Sequence, residues 1–274
     1  MLSILLLPFS LIYQFIFFIH KFINSIKNKK EIPIPVICVG NIYLGGTGKT
    51  PLVREIFNIV NSFGKKAAFV KKYHNYLYDE IKMLELTGKI YVTQKRREGI
   101  FLSASNQYDV AILDDGFQDF SIKPNCSIVC FNSKQLIGNG LTIPAGPLRE
   151  NLNSISRAHC IIINGDKNFN FENKISSIKK NEKLPIFYSK YKIKEIEKYK
   201  NKKIIAFAGI GNPSNFFDLL KENNLDLVKT FAFPDHHKFS DKDFEMLNKE
   251  KSDLLLTTEK DFCRINNEQK KLCS

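Results

Sequence analysis

Apolar and polar positions follow two different patterns along this chain. The first 20 residues, MLSILLLPFSLIYQFIFFIH, carry no formal charge and predict one long apolar helix. At about 100° per residue, Ser3, Ser10, Gln14, Lys21, Asn24 and Asn28 fall on one side, and Phe22, Ile23 and Ile26 on the other. Twenty helical residues extend about 30 Å, the thickness of a bilayer core. The pattern predicts a monotopic helix, sunk deeply at its N-terminal end and interfacial near residues 21–28. There Lys21, Lys27, Lys29 and Lys30 meet anionic headgroups and mark the following chain as cytoplasmic. No cation precedes the apolar run and no A-x-A site follows it, which argues against a cleaved signal. A single span and a core helix are the alternatives. Pro8 is a candidate kink.

Beyond residue 30 the pattern switches to short apolar runs separated by helical periodicity. Ile34–Asn41 reads as a strand running into YLGGTGKT and a helix over Pro51–Phe63. Lys66–Lys71 reads as a second strand and Asp79–Leu86 as a helix start. Asp109–Leu113 is a buried strand ending in Asp114-Asp115-Gly116, and Ser127–Phe131 and Cys160–Asn164 are two more strands. This alternation predicts an α/β fold: a P-loop NTPase-like parallel sheet with helices on both faces. From Lys179 to Lys203 there are ten Lys against three Glu, which reads as a solvated face. Ile186–Ile193 is a candidate linking strand. A second, smaller α/β lobe begins at Ile204 (IIAFAGIGNP), continues through Lys229–His237 and includes Leu254–Thr258. The predicted divisions are an anchoring helix over 1–28, a P-loop core lobe over 29–190 and a C-terminal lobe over 191–274.

Composition removes several classes. With 274 residues, 43% of them hydrophobic, and 23 Phe, the chain is not disordered as a whole. Its six Cys (Cys38, Cys126, Cys130, Cys160, Cys263, Cys273) form no CxxC pair and have no His at zinc spacing. They read as reduced core thiols of a cytosolic protein. The net charge is +13, and the 41 cations are 35 Lys and only six Arg. Arginine is the residue that reads bases and phosphates bidentately. This Lys-heavy excess therefore suits an anionic membrane surface better than nucleic acid. It also accompanies a general drift towards Lys, Asn and Ile.

The chemistry concentrates at a few places. Strand, Gly45-Gly46-Thr47-Gly48-Lys49-Thr50, then helix is an arrangement that cradles phosphate. Glycines let backbone amides approach phosphate oxygens, Lys49 reaches the β- and γ-phosphates, and the Thr50 hydroxyl suits Mg²⁺. The candidate ATP-binding stretch runs from Tyr43 and Leu44 through Thr50; Tyr43 stands where the strict pattern has its first Gly. Asp114-Asp115, at the carboxyl end of a buried strand, is where P-loop proteins hold Mg²⁺. Asp79-Glu80 opens a helix, as a cap or as chemistry. In Asp235-His236-His237, an imidazole paired with a carboxylate can orient a proton acceptor. In PAGPLRE, Arg149-Glu150 reads as a phosphate clamp or a surface ion pair. Rival classes fit less well. A partitioning-type ATPase switch has Lys before its Gly-Gly, where this chain has Leu44. A GTPase needs N-K-x-D, which is absent, and a metal phosphoesterase needs further Asp/His clusters. A membrane adaptor needs none of Lys49, Asp114 and Asp115.

Taken together, VGNIYLGGTGKTP (39–51), DEIKML (79–84), LDDGFQ (113–118), IPAGPLRE (143–150), FAGIGNPSNFF (207–217), FPDHHKF (233–239) and TTEKD (257–261) resemble the tetraacyldisaccharide 4′-kinase family, the lipid A kinases of Gram-negative bacteria. The resemblance implies two α/β/α lobes joined by a β linker, docked on the inner membrane by the N-terminal helix. It implies that ATP·Mg²⁺ phosphorylates the 4′-hydroxyl of a tetraacylated glucosamine disaccharide 1-phosphate; no nucleic acid is expected and no protein partner is inferred. It implies Asp79 as catalytic base with His236 paired to it, Asp114 and Asp115 as Mg²⁺ and active-site carboxylates, and Arg149 and Glu150 at the phosphate end. The alternative is a P-loop kinase for another membrane-embedded acceptor. The chain departs from the family pattern in three places. Val70-Lys71-Lys72-Tyr73 stands in place of SRGY, the stretch from Tyr73 to Asp79 is short, and the chain ends soon after TTEKD, which reads as a trimmed second lobe.

Overall fold

The computed structural model describes residues 2–26, 31–74, 77–178 and 184–273, with backbone alone for 2, 25 and 26. Lys27, Asn28, Lys29 and Lys30 and the start of the Lys-rich run at Lys179 lie outside the described residues. Contacts sort the chain into two units, Met1–Tyr73 with Thr87–Lys190, and His74–Leu86 with Tyr191–Ser274. The segment 74–86, expected within the lobe 29–190, thus groups with the second unit, and the N-terminal helix groups with the first.

The first unit begins with α1 (Leu2–Leu5) and α2 (Leu7–Ile26). The kink expected at Pro8 is a break before Leu7. Pro8 falls in the first turn of α2, where its missing N–H has no helical partner to lose. The polar side of α2 does not face a headgroup layer throughout. Ser10 is only 2% exposed; its hydroxyl donates to the Thr142 carbonyl (2.9 Å) and accepts from the Ala145 amide (3.0 Å). Tyr13 donates to the Arg149 carbonyl and Gln14 to the Thr142 hydroxyl. Phe9, Phe15, Phe18 and Phe22 point outward, exposed, so α2 is not a core helix. By length and composition α2 can cross a membrane.

A seven-stranded sheet follows, built from β1 (Val36–Gly40), β2 (Ala67–Lys72), β3 (Ile90–Thr93), β4 (Val110–Asp114), β5 (Cys126–Asn132), β6 (Cys160–Asn164) and β7 (Ile186–Ser189). Its order is β3-β2-β4-β1-β5-β6-β7, with every pairing parallel. The connecting helices include α3 (Lys49–Ser62), α5 (Arg96–Ser105) and α6 (Phe169–Ser176), while α4 (Tyr78–Glu85) belongs to the second unit. Strands buried on both faces explain the near-continuous apolar runs. Helix α3 starts at Lys49, not Pro51; Pro51 sits in the first turn, where amides lack helical partners. Strand β3 and helix α5 escape the periodicity because β3 is four half-buried residues. The buried face of α5 is Gly99, Ile100 and Ser103, too small and polar to read as a stripe. The candidate linking strand ends at Ser189 and is instead the edge strand of this sheet. The cysteines are all free; burial pushes the Cys38 thiol up to about 12 and that of Cys160 to about 11, as expected for inert packing residues.

In the second unit, β8 (Ile204–Ala208) lies between β10 (Leu254–Thr257) and β9 (Leu227–Ala232), again parallel. Helices α7 (Pro213–Glu222), α8 (Asp241–Leu247), α9 (Glu259–Phe262) and α10 (Asn267–Lys271) complete it. Phe207 anchors one face, edge-on to Phe233, Phe239 and Phe244.

Candidate active site

In the first unit, the loop after β1 leaves the sheet between β4 and β5. In doubly wound sheets a ligand crevice opens at such a strand end. Gly48, at φ 82°, caps α3, and Gly45 has φ 116°. A Cβ at Gly45 or Gly46 would meet nothing within 4 Å, so the turn borders open space. The loop is fixed from behind. The Asn41 amide donates to the Tyr43 carbonyl (2.7 Å) and the Thr47 hydroxyl (3.0 Å). The Leu44 amide donates to the Pro147 carbonyl (2.8 Å), so the PAGPLRE loop braces the glycine turn.

Asp115 follows β4 with φ 56°, a conformation that costs about 1–3 kcal/mol unless surroundings impose it. Here its amide donates to the Val39 carbonyl (2.9 Å) and its carbonyl accepts from Arg96 (2.7 Å). The carboxylate meets Arg149 Nη1 at 3.0 Å and Lys49 Nζ at 3.7 Å. Burial opposes its ionisation, but Lys49 and Arg149 outweigh that and hold the carboxyl at about 2. Asp114 is 1% exposed; its Oδ2 pairs with the Lys71 ammonium, and its Oδ1 has no hydrogen-bond partner. The orphaned Asp114 Oδ1 and the Thr50 hydroxyl are both hard-oxygen donors. Mg²⁺, which keeps several waters and takes few protein ligands, suits donors of this kind. Glu150 is engaged differently from Arg149. Both its oxygens accept from Arg157 (3.0 and 2.8 Å), one also from Gln118 (2.8 Å), and Arg157 lies over the Phe117 ring at 4.4 Å. Glu150 is therefore a buried anchor for the loop that carries Arg149.

In the second unit, α4 presents Asp79, 3% exposed, with His236 Nδ1 3.4 Å from its Oδ2. His236 itself has φ 59°. Lys260 Nζ lies 3.6 Å from Asp79 Oδ2 and 3.7 Å from Asp235. His237 turns away to Asp243 at 3.1 Å. Among the described residues no group of three or more His, Cys, Asp or Glu side chains is placed to hold a metal ion.

Residues 2–273 match the family model for tetraacyldisaccharide-1-P 4′-kinase, LpxK. The chain belongs to the tetraacyldisaccharide 4′-kinase family. The tetraacyldisaccharide 4′-kinase of Pelagibacter ubique (strain HTCC1062) is 40% identical over 272 residues, 97% of this chain and 84% of that protein. That of Rickettsia bellii (strain OSU 85-389) is 32% identical over 293 residues, covering 96% and 86%. The crystal structure of LpxK from Aquifex aeolicus in complex with ATP superposes with a TM-score of 0.72 at 25% identity, covering 97% of this chain and 91% of that one. The resemblance carried by the seven motifs and the expected α/β fold are both borne out.

Some polar residues around these kinase-family motifs are not marked by any motif. Lys71 is visible in sequence only as a departure from SRGY, and its partner Asp114 is 43 residues away. Arg96 and Arg157 leave no local signal, and Gln118 is the last residue of LDDGFQ. Lys260 lies inside TTEKD, and Arg264 just beyond it.

Proposed function

We propose that this tetraacyldisaccharide 4′-kinase divides its chemistry as follows. The Gly45–Thr50 turn and Lys49 hold the ATP phosphates, Arg149 clamps them, and Asp114 with the Thr50 hydroxyl holds Mg²⁺. Bound Mg²⁺ neutralises charge on the phosphate oxygens. Asp115 keeps Lys49 and Arg149 in place for the nucleotide. Asp79, assisted by His236, takes the proton of the 4′-hydroxyl as that oxygen bonds to the γ-phosphorus and the bond to the β-phosphate oxygen breaks, releasing ADP. The observation that carries this reading is the convergence of Lys49 and Arg149 on Asp115 beside the open glycine turn.

The outward aromatic face of α2 supports monotopic docking on the cytoplasmic face of the inner membrane, where a four-chain lipid resides. A cleft of about 320 Å³ beside α2 is lined by Tyr13, Phe17, Lys21, Arg149 and Arg157 among others. Aromatic walls with cations suit a phosphorylated amphiphile. The test is label transfer from γ-labelled ATP to tetraacyldisaccharide 1-phosphate by the full-length protein in detergent. Wild type labels the lipid, and Lys49→Ala loses at least about 10²-fold in rate, as expected for a group that stabilises transferring phosphate. Label released only as free phosphate would overturn the reading in favour of an ATPase.

A further inference from the structure

The FAGIGNP and TTEKD stretches have no part in the chemistry above, yet the Gly209 backbone of the first meets the Asp261 side chain of the second. Asp261 is 0% exposed. Its Oδ2 accepts from the Gly209 amide (3.0 Å) and the Thr258 hydroxyl (2.7 Å), and its Oδ1 from Arg264 Nη1 (2.7 Å). The same Nη1 donates to the Gly209 carbonyl at 2.6 Å. Pinned there, the guanidinium turns its other edge to Asp79. Nε donates to Asp79 Oδ2 at 2.9 Å, and Nη2 donates to the same oxygen. Nη2 also lies 3.2 Å from His236 Nδ1. A guanidinium only donates, so Nδ1 is the acceptor, and a neutral His236 ring carries its proton on Nε2. Asp79 Oδ1 accepts from the Glu80 amide at 2.9 Å.

We propose that Arg264, anchored by Asp261, is the positioning residue of the transfer base. It fixes the Asp79 carboxylate through Oδ2, leaves Oδ1 as the oxygen that takes the acceptor's proton, and sets the tautomer of His236. This rests on the reading of Asp79 as base. The physical need is plain: burying a charge is costly unless a cation and hydrogen bonds compensate it, and a base must also present a free oxygen. Other charged or titratable groups also face Asp79. Lys260 approaches from α9, His236 and Asp235 from the loop after β9, Glu80 from α4 itself, and the Cys263 thiol lies nearby. Arg264 makes the closest contact, and it bonds Asp79, His236 and Asp261 together.

The experiment compares wild type, Arg264→Ala, Arg264→Lys and Asp79→Asn, full-length in detergent, by kcat against pH and by ATP affinity. Arg264→Ala is expected to lower kcat by about 10²-fold and to move the acid limb of the kcat profile upward by about one to two pH units. Its ATP dissociation constant stays within about twofold. Millimolar guanidinium restores part of its rate, and Arg264→Lys, which keeps the charge without the fork, is slower than wild type with little movement of the limb. A loss equal at every pH and not rescued by guanidinium would reduce Arg264 to a fold buttress. Should Arg264→Ala fail to fold, an Arg264→Lys enzyme with wild-type kcat overturns the proposal. An inactive Asp79→Asn beside unshifted Arg264 profiles sinks the positioning role alone. An active Asp79→Asn sinks the base assignment and this proposal with it.

Discussion

Burial raises the proton affinity of the Asp115 carboxyl, and Lys49 and Arg149 beside it bring it back down, to about 2. The folded value lies below the ordinary 3.8. Asp115 therefore stabilises the fold above about pH 4, and that contribution fades as pH falls through about 2. Its side chain is 31% exposed, so solvent screening limits the effect to about 1 kcal/mol. The thermal midpoint of wild type should fall between pH 4 and pH 2 more steeply than that of Asp115→Asn; parallel curves would remove Asp115 from the balance. At this scale, Lys49, Asp114, Asp115, Asp79 and His236 are legible in sequence because each belongs to a short motif at a strand or helix end. Lys71 and Arg264 are not, because their meaning lies in partners 43 and 185 residues away.

Helix α2 uses its polar side for attachment: Ser10 and Gln14 bond to Thr142 and Ala145 while phenylalanines face outward. An element whose outer surroundings are lipid keeps its polar groups inward, where hydrogen bonds satisfy them. Ser10→Ala leaves the Ala145 amide without its acceptor at a buried position, which costs about 1–3 kcal/mol. Differential scanning calorimetry should show a lowered midpoint, and protease should cut α2 sooner. An unchanged midpoint would mean that the helix is held by its aromatic packing alone. The strands of the first sheet were legible because burial on both faces makes them continuously apolar. Strand β3 and helix α5 were not, because Gly99 packs against Val70 so closely that a Cβ would lie 2.6 Å from its Cγ1. Such close packing selects small residues and erases the stripe.

For the whole molecule, the proposed membrane docking rests on the outward apolar face of α2. Transferring one large apolar side chain out of water is worth about 1.5–3 kcal/mol, or roughly tenfold or more in a partition constant. Phe9→Glu with Phe15→Glu should therefore cut co-sedimentation with anionic vesicles by at least about tenfold, while ATP affinity is unchanged. Retained sedimentation would shift the docking role to the lysine-rich surface. The chain leaves the first unit after Tyr73, contributes His74–Leu86 to the second, and returns at Thr87 before departing again after Lys190. On the ribosome, the helix bearing Asp79 emerges long before Arg264, Asp261 and His236 exist to receive it. For more than half of its synthesis the nascent kinase already has its glycine turn but holds an unpartnered acid. With Asp79 as the proposed base, the capacity to transfer phosphate arrives with the final strand and the arginine behind it, long after the glycine turn has been made.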